Sequence, residues 1–395
     1  MAKLLENKRL FWPFSFYFIA SAAAAVYRPY IVLYYQSLDL TGAQIGLLVG
    51  VAPLIMMFSL PLMAGIADRT KTHRLIMSFS LLSIIVGLFL FIYLRTFFFL
   101  FILSILFSIF LSPLFPFANS ATLVMLGDKK DLFGRIRLGG TIGFSIAAAV
   151  AGTLVENRGF RVAFWGAAVM YLIAFFINQQ LVYSEEGEEK SLEKGPMREL
   201  LSNPQFLILL LIGFAGGISF SSNNTYLFPY LEELGAEESM MGFALTIGTV
   251  AEIPVLFFVG YFIKRFKAYS VLIFSTIMIS LRFLLFFLAV TPTFVLFIQL
   301  MHGITHPLLA VAGATYADER APAGFKATAH GLFNTAMGGI GAAVGGFAGG
   351  ILFEQLGAKG MYLVFSLIVV VILAIVAVIK RVLPTEQLES AATLD

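Results

Sequence analysis

The strongest constraint on this chain is a succession of apolar runs, each close to the roughly 20 residues that a helix needs to cross a bilayer. They lie near residues 10–35, 43–66, 75–94, 97–125, 137–155, 161–182, 206–228, 240–262, 268–289, 293–316, 328–353 and 361–383, twelve in all. In hydrocarbon each run must satisfy its own backbone hydrogen bonds, and runs of this length are helices rather than barrel strands. The expectation is an all-α integral membrane protein. Composition agrees, since 59% of the 395 residues are hydrophobic and 12% charged, against about a quarter charged in soluble domains. A soluble enzyme fold, a disordered chain and a nucleic-acid binder are excluded on that ground. Ser21, Ala22, Ala23 and Ala24 imitate a signal-peptidase site, but the surrounding run is too long for a signal peptide's apolar region. Without cysteine there is neither a disulfide framework nor a thiolate metal site.

The basic residues orient the helices, because Lys and Arg are retained on the cytoplasmic side. With the N-terminus inside, 20 of the 26 fall in inner segments, among them Arg69, Lys71 and Arg74 in one loop and Lys264, Arg265 and Lys267 in another. Only Arg95, Arg158, Arg161 and Lys359 fall outside, while Arg28 and Arg282 lie within spans. The split predicts cytoplasmic N- and C-termini in a multi-pass protein of the cell inner (plasma) membrane. It also explains a pI near 8.9 without an anionic partner.

The longest polar stretch, residues 184–205, divides the twelve spans into six plus six. The end of the second span, LPLMAGIADRTKTHRLIMSFS, echoes the end of the eighth, VLFFVGYFIKRFKAYSVLIFS, with Gly65 and Gly260 195 residues apart. We therefore expect two pseudo-symmetric six-helix bundles, 1–183 and 206–395, joined by a cytoplasmic linker at 184–205. Such duplications put a solute site near the midplane, reached alternately from either side as the halves rock.

The segment GIADRTKTHR, with Gly65, Asp68, Arg69 and Arg74, resembles the cytoplasmic loop motif of the major facilitator superfamily, and the resemblance runs the length of the chain. DLFGRIRLGGTIGF (131–144) and QLMHGITH (299–306) are similar to the branch holding lactose permease, nucleoside/proton symporters and phenylpropionate permeases. The resemblance implies the major facilitator fold and solute transport. It sets Arg137, Arg282 and His302 where lactose permease uses two arginines and a histidine for sugar binding and proton coupling. Two of that permease's glutamates are replaced, by Thr305 and by Asn119, which argues against a galactoside as cargo.

From the residues alone, Asp68 ends a helix beside basic side chains, where it can meet a helix N-terminus or an arginine in one conformation only. Gly65, Asp68, Arg69 and Arg74 are thus a candidate conformational gate. The alternative is a positive-inside anchor with a solvated acid, and the second copy, with Ile263 facing Asp68, fits that weaker role. Ionisable groups within spans are expensive and mark function. Glu252 is the one acid deep in a span, roughly 18 Å along its helix, with Arg28, Arg282 and His302 roughly 10 to 14 Å in and His306 roughly 20 Å in. Glu252, His302 and His306 are the proton-coupling candidates; for Glu252 the alternative is a static ion pair with an arginine, and for the histidines a helix-packing hydrogen bond. Arg28, Asn119, Arg137, Asn223, Asn224, Arg282 and His302 are the substrate-binding candidates, although Arg137 can instead stay at the membrane surface. His302 and His306 share a helix face but lack a third ligand, so no metal is expected, and no cofactor. Tyr27, Tyr30, Tyr34 and Tyr35, with Tyr226 and Tyr230, either line the cavity or, for Tyr34, Tyr35 and Tyr230 in particular, form an interfacial aromatic belt. Glycines 338–350 read as a helix-packing surface, and Pro113 with Pro116 as a kink.

The expectation is a monomeric proton-coupled symporter importing a small organic solute by alternating access. Three arginines against one deep acid favour an aromatic or other carboxylate, with a sugar or nucleoside, or an efflux antiporter, as the alternative. An intramembrane enzyme would need a nucleophile or metal set that is absent, and no nucleotide-binding loop is present.

Overall fold

The computed structural model describes residues 8–183, 202–322 and 325–382, and among them it contains helices and turns but no strand. The spans are α1 (Leu10–Gln36), α2 (Gly42–Thr70), α3 (His73–Tyr93), α4 (Phe97–Leu126), α5 (Phe133–Arg158), α6 (Arg161–Asn178), α7 (Pro204–Glu233), α8 (Glu238–Phe266), α9 (Ala268–Leu288) and α10 (Pro292–Arg320). A final segment, Thr328–Arg381, runs for 54 residues, about 80 Å at 1.5 Å per residue, more than twice a bilayer's hydrocarbon. Gly357 breaks it with φ 70° and ψ 175°, a backbone conformation open to glycine. It is therefore two helices, α11 (328–356) and α12 (358–381), and the expected twelve spans are present.

Several spans are interrupted, two of them at prolines. Proline denies the ladder a donor and crowds the preceding turn; α1 turns at residues 28–30 around Pro29, and α4 at Ser112 and Pro113, the expected kink. In α10 the helix ends at Gln299 and restarts at His302. A wide turn over Thr335–Gly341 lies in α11.

The chain groups into two compact units, Met1–Glu189 with Asn224–Val250, and Lys190–Asn223 with Ala251–Asp395. Both α7 and α8 thus contribute one end to each unit, a grouping that differs from the six-plus-six division at residues 224–250. Of the expected linker, residues 184–201 lie outside the described residues.

Within the first unit α1 packs on α5. A Cβ at Gly143 would lie 2.1 Å from the Phe18 carbonyl oxygen, so only glycine permits that approach. In the second unit α7 packs on α11 in the same manner, with Gly217 against the Met337 carbonyl at 2.1 Å. Asn178 on α6 donates to Ser78 on α3 (3.0 Å), and Ser280 on α9 meets Ser366 on α12 (3.1 Å). Pairings 1·5 and 3·6 thus recur as 7·11 and 9·12. The backbone carries the duplication too: Asp39 and Gly235, Lys71 and Lys267, and Gly159 and Gly357 all have positive φ and stand 196, 196 and 198 residues apart.

One expectation is corrected. Tyr34, Tyr35 and Tyr230 are 8%, 1% and 0% exposed, so they form no belt at the lipid interface. Their polar tips find partners inside: the Tyr34 hydroxyl donates to the Phe91 carbonyl at 2.6 Å, and Tyr35 meets Ser104 at 3.5 Å.

Candidate functional site

The buried face of α9 carries Ile279, Phe283 and Phe286, and Arg282 falls on it, 2% exposed. A guanidinium there must have its donors satisfied from neighbouring helices. The break in α10 supplies them, because its two pieces end and begin with Gln299 and His302. Arg282 donates from Nη1 to His302 Nδ1 (2.9 Å) and, at 3.4 Å, to Thr305 Oγ1; from Nη2 it donates to Asn223 Oδ1 on α7 (2.9 Å) and to Gln299 Oε1. The Phe286 ring lies 5.2 Å from the guanidinium carbon, within cation–π range. Thr305 in turn donates to the His302 carbonyl at 2.8 Å.

The other ring nitrogen of His302, Nε2, stands 2.9 Å from Glu252 Oε1 on α8. That contact depends on Gly303, where a Cβ would meet the Ala251 carbonyl oxygen at 2.3 Å, so α8 and α10 touch backbone to backbone one residue from the pair. Arginine only donates, so Nδ1 of His302 must accept, and the ring's single proton in its neutral form belongs on Nε2, facing the carboxylate. His302 is therefore an imidazole bridge between a guanidinium and a carboxylate. Glu252 remains partly open, its side chain 22% exposed.

One turn on, His306 stacks on Phe220 with centroids 4.4 Å apart and planes 25° from parallel. With His302 turned to Glu252 and His306 stacked on Phe220, the two histidines serve different partners. The expected residues Asn223, Glu252, Arg282, His302 and His306 thus meet within the second unit. Asn224 on the next position of α7 is exposed. The others belong to the first unit. Arg28 is exposed at the turn in α1, Arg137 is exposed near the start of α5 over the Phe133 ring (5.9 Å), and Asn119 accepts from the Tyr17 hydroxyl at 2.6 Å.

At the end of α2, Asp68 Oδ1 lies 2.9 Å from His73 Nε2, on the first residue of α3. His73 stacks on Tyr183, and burial pushes that phenol's pKa up. Arg74 reaches the Leu181 carbonyl at 2.8 Å, and Arg69 is exposed. A Cβ at Gly65, or at its counterpart Gly260, would meet nothing within 4 Å, so neither glycine is held by a close approach in this conformation.

Sequence reasoning passed over Gln299 and Gly303. Gln299 lies three residues before His302, a spacing that shares a helix face, and that signal was available in QLMHGITH. The dependence on Gly303 was not, because it needs the neighbouring helix.

The sequence profile of the MFS_1 like family matches residues 11–364. The chain is 27% identical to the uncharacterized transporter YwbF of Bacillus subtilis over 356 residues, 89% of each chain. It is 26% identical to the maltose permease of Geobacillus stearothermophilus over 369 residues, 93% of each. In fold it is similar to the crystal structure of the nucleoside transporter NupG (D323A mutant), with a TM-score of 0.84, 18% identity, and 94% of this chain and 100% of that one covered.

Proposed function

The chain belongs to the MFS_1 like family, transporters rather than enzymes, and on that premise we propose that it is a proton-coupled symporter importing a small neutral organic solute, a nucleoside or a sugar. The observation that carries this reading is the Arg282–His302–Glu252 bridge. While Glu252 is ionised its charge balances Arg282 through the imidazole. When Glu252 takes a proton that balance is lost, and a buried charge without compensation is costly. A solute that offers acceptors to Arg282 and its amide neighbours relieves the cost. Proton and solute therefore bind better together than apart, and by linkage each raises the other's affinity. Solute affinity rises as pH falls, by at most about tenfold per pH unit for one coupled proton.

The case for a carboxylate is that Arg28, Arg137 and Arg282 outnumber the one deep acid. Arg282 is already balanced by Glu252 through His302, which favours a neutral solute. The names of the maltose permease and of the nucleoside transporter support the same class. We take the protein to be a monomer in the cytoplasmic membrane with both termini inside, as the charge bias expects. Asp68 with His73 and Arg74 would then belong to the cytoplasmic gate.

The test is Glu252→Gln in proteoliposomes. It removes the titrating group and keeps its size, so solute exchange should persist while accumulation driven by a pH gradient disappears, together with the pH dependence of affinity. A variant that still concentrates solute in response to a pH gradient overturns the role of Glu252.

A further inference from the structure

The amides around Arg282 are not free to choose their orientation. A guanidinium has donors only, so Gln299 and Asn223 must each present a carbonyl oxygen to it. The reversed amide would set two donors against each other. Both NH2 groups are consequently turned away from Arg282. At Gln299 the result is an orphan, because the side chain is 1% exposed and Nε2 has no hydrogen-bond partner among the described residues. Arg282 Nε is buried and unpartnered as well. Buried donors without acceptors cost stability and are rare, and two in one hydrogen-bonded pair point to an acceptor brought from outside the chain. A third unpartnered atom is Nδ1 of His306, in the ring stacked on Phe220. A flat heteroaromatic ring carrying a carbonyl suits both features: the donors fit its oxygen, and the His306–Phe220 stack, one helical turn from His302, supplies aromatic surface for its face.

We propose that Gln299 determines specificity, and that the site takes nucleosides whose base presents an oxo oxygen in preference to those that present an amino group. This rests on the reading of the protein as an importer of a neutral nucleoside or sugar, and decides between the two. A base with an amino group in that position would have to turn the Gln299 amide over, which forfeits its bond to Arg282.

The experiment measures binding to the full chain in nanodiscs, using inosine against adenosine and uridine against cytidine, pairs matched in size. In the native protein the oxo member of each pair should bind at least about tenfold more tightly, the scale of one buried hydrogen bond. Gln299→Glu keeps the shape and the oxygen facing Arg282 but replaces the donor by an acceptor, so the preference should vanish or invert. If that variant is not recovered folded, Gln299→Met, which has neither donor nor acceptor amide, should abolish the preference. An unchanged oxo-to-amino ratio in either folded variant overturns the proposal, as does a native protein that binds none of the four nucleosides. In that last case proton-driven uptake of a sugar, and its loss in Glu252→Gln, still judges the symporter reading separately.

Discussion

Among the described residues Arg282 has no carboxylate in hydrogen-bond contact, and it is neutralised through an intermediary, the His302 imidazole. Its removal therefore affects more than one bond. In Arg282→Gln the His302 Nδ1 loses its donor, Asn223 and Gln299 lose the group that orients them, and a neutral solute loses a charge-assisted partner. We expect neutral-solute affinity to fall by about 1.5–3 kcal/mol, the range for hydrogen bonds to charged groups, measured by isothermal titration with matched neutral and carboxylate solutes. A loss confined to carboxylates, nearer the 2–5 kcal/mol of a broken buried charge pair, would restore the anionic reading. The residues of this cluster were largely legible in advance, because an ionisable side chain inside an apolar run is conspicuous. What the chain alone does not reveal is burial: Arg28 is as conspicuous as Arg282 in the sequence, yet it is exposed at the turn that holds Pro29, whereas Arg282 is 2% exposed.

At the scale of the helices, the site depends on how closely α8 and α10 approach. Gly303 fixes that approach, since its absent Cβ would lie 2.3 Å from the Ala251 carbonyl and 2.9 Å from Val255 Cγ2. Backbone cannot yield as a flexible side chain can, so Gly303→Ala should drive the two helices apart and lengthen the 2.9 Å contact of His302 with Glu252. The expected result is a stability loss of about 1–3 kcal/mol, as for overpacking, together with weaker proton coupling than native. Gly331, within the helix Lys326–Asn334, has nothing within 4 Å of the position its Cβ would take. Gly331→Ala is thus the control and should be neutral or stabilise by about 0.5–1 kcal/mol. Thermal unfolding of the two variants in one detergent compares them; equal stability would remove Gly303 from the argument. The spans themselves were readable from hydropathy, because their lengths answer to the bilayer. The break in α10 was not, since Leu300 and Met301 carry no local signal for it, and it sets Gln299 and His302 on either side of Arg282.

For the whole molecule, the duplication links sequence to architecture. Its mark in the sequence is faint, a Gly65 and Gly260 echo, whereas the backbone repeats it at three pairs of positive-φ turns. Turn geometry survives substitution better than side chains do, as Asp39 paired with Gly235 illustrates. Two bundles of six helices have an even number of crossings each, so both begin and end on the same side, and the charge bias then decides which side that is. Arg69 at the end of α2 and Arg158 at the end of α5 are both exposed, and an odd number of crossings separates them. They must therefore face opposite compartments. With no native cysteine to interfere, single substitutions Arg69→Cys and Arg158→Cys can be probed in intact cells with a membrane-impermeant maleimide. Labelling should occur at 158 and be absent at 69 until the membrane is opened. Labelling at 69 alone would invert the topology, turn Asp68 and His73 toward the outside, and remove the cytoplasmic gate from the proposed transport cycle.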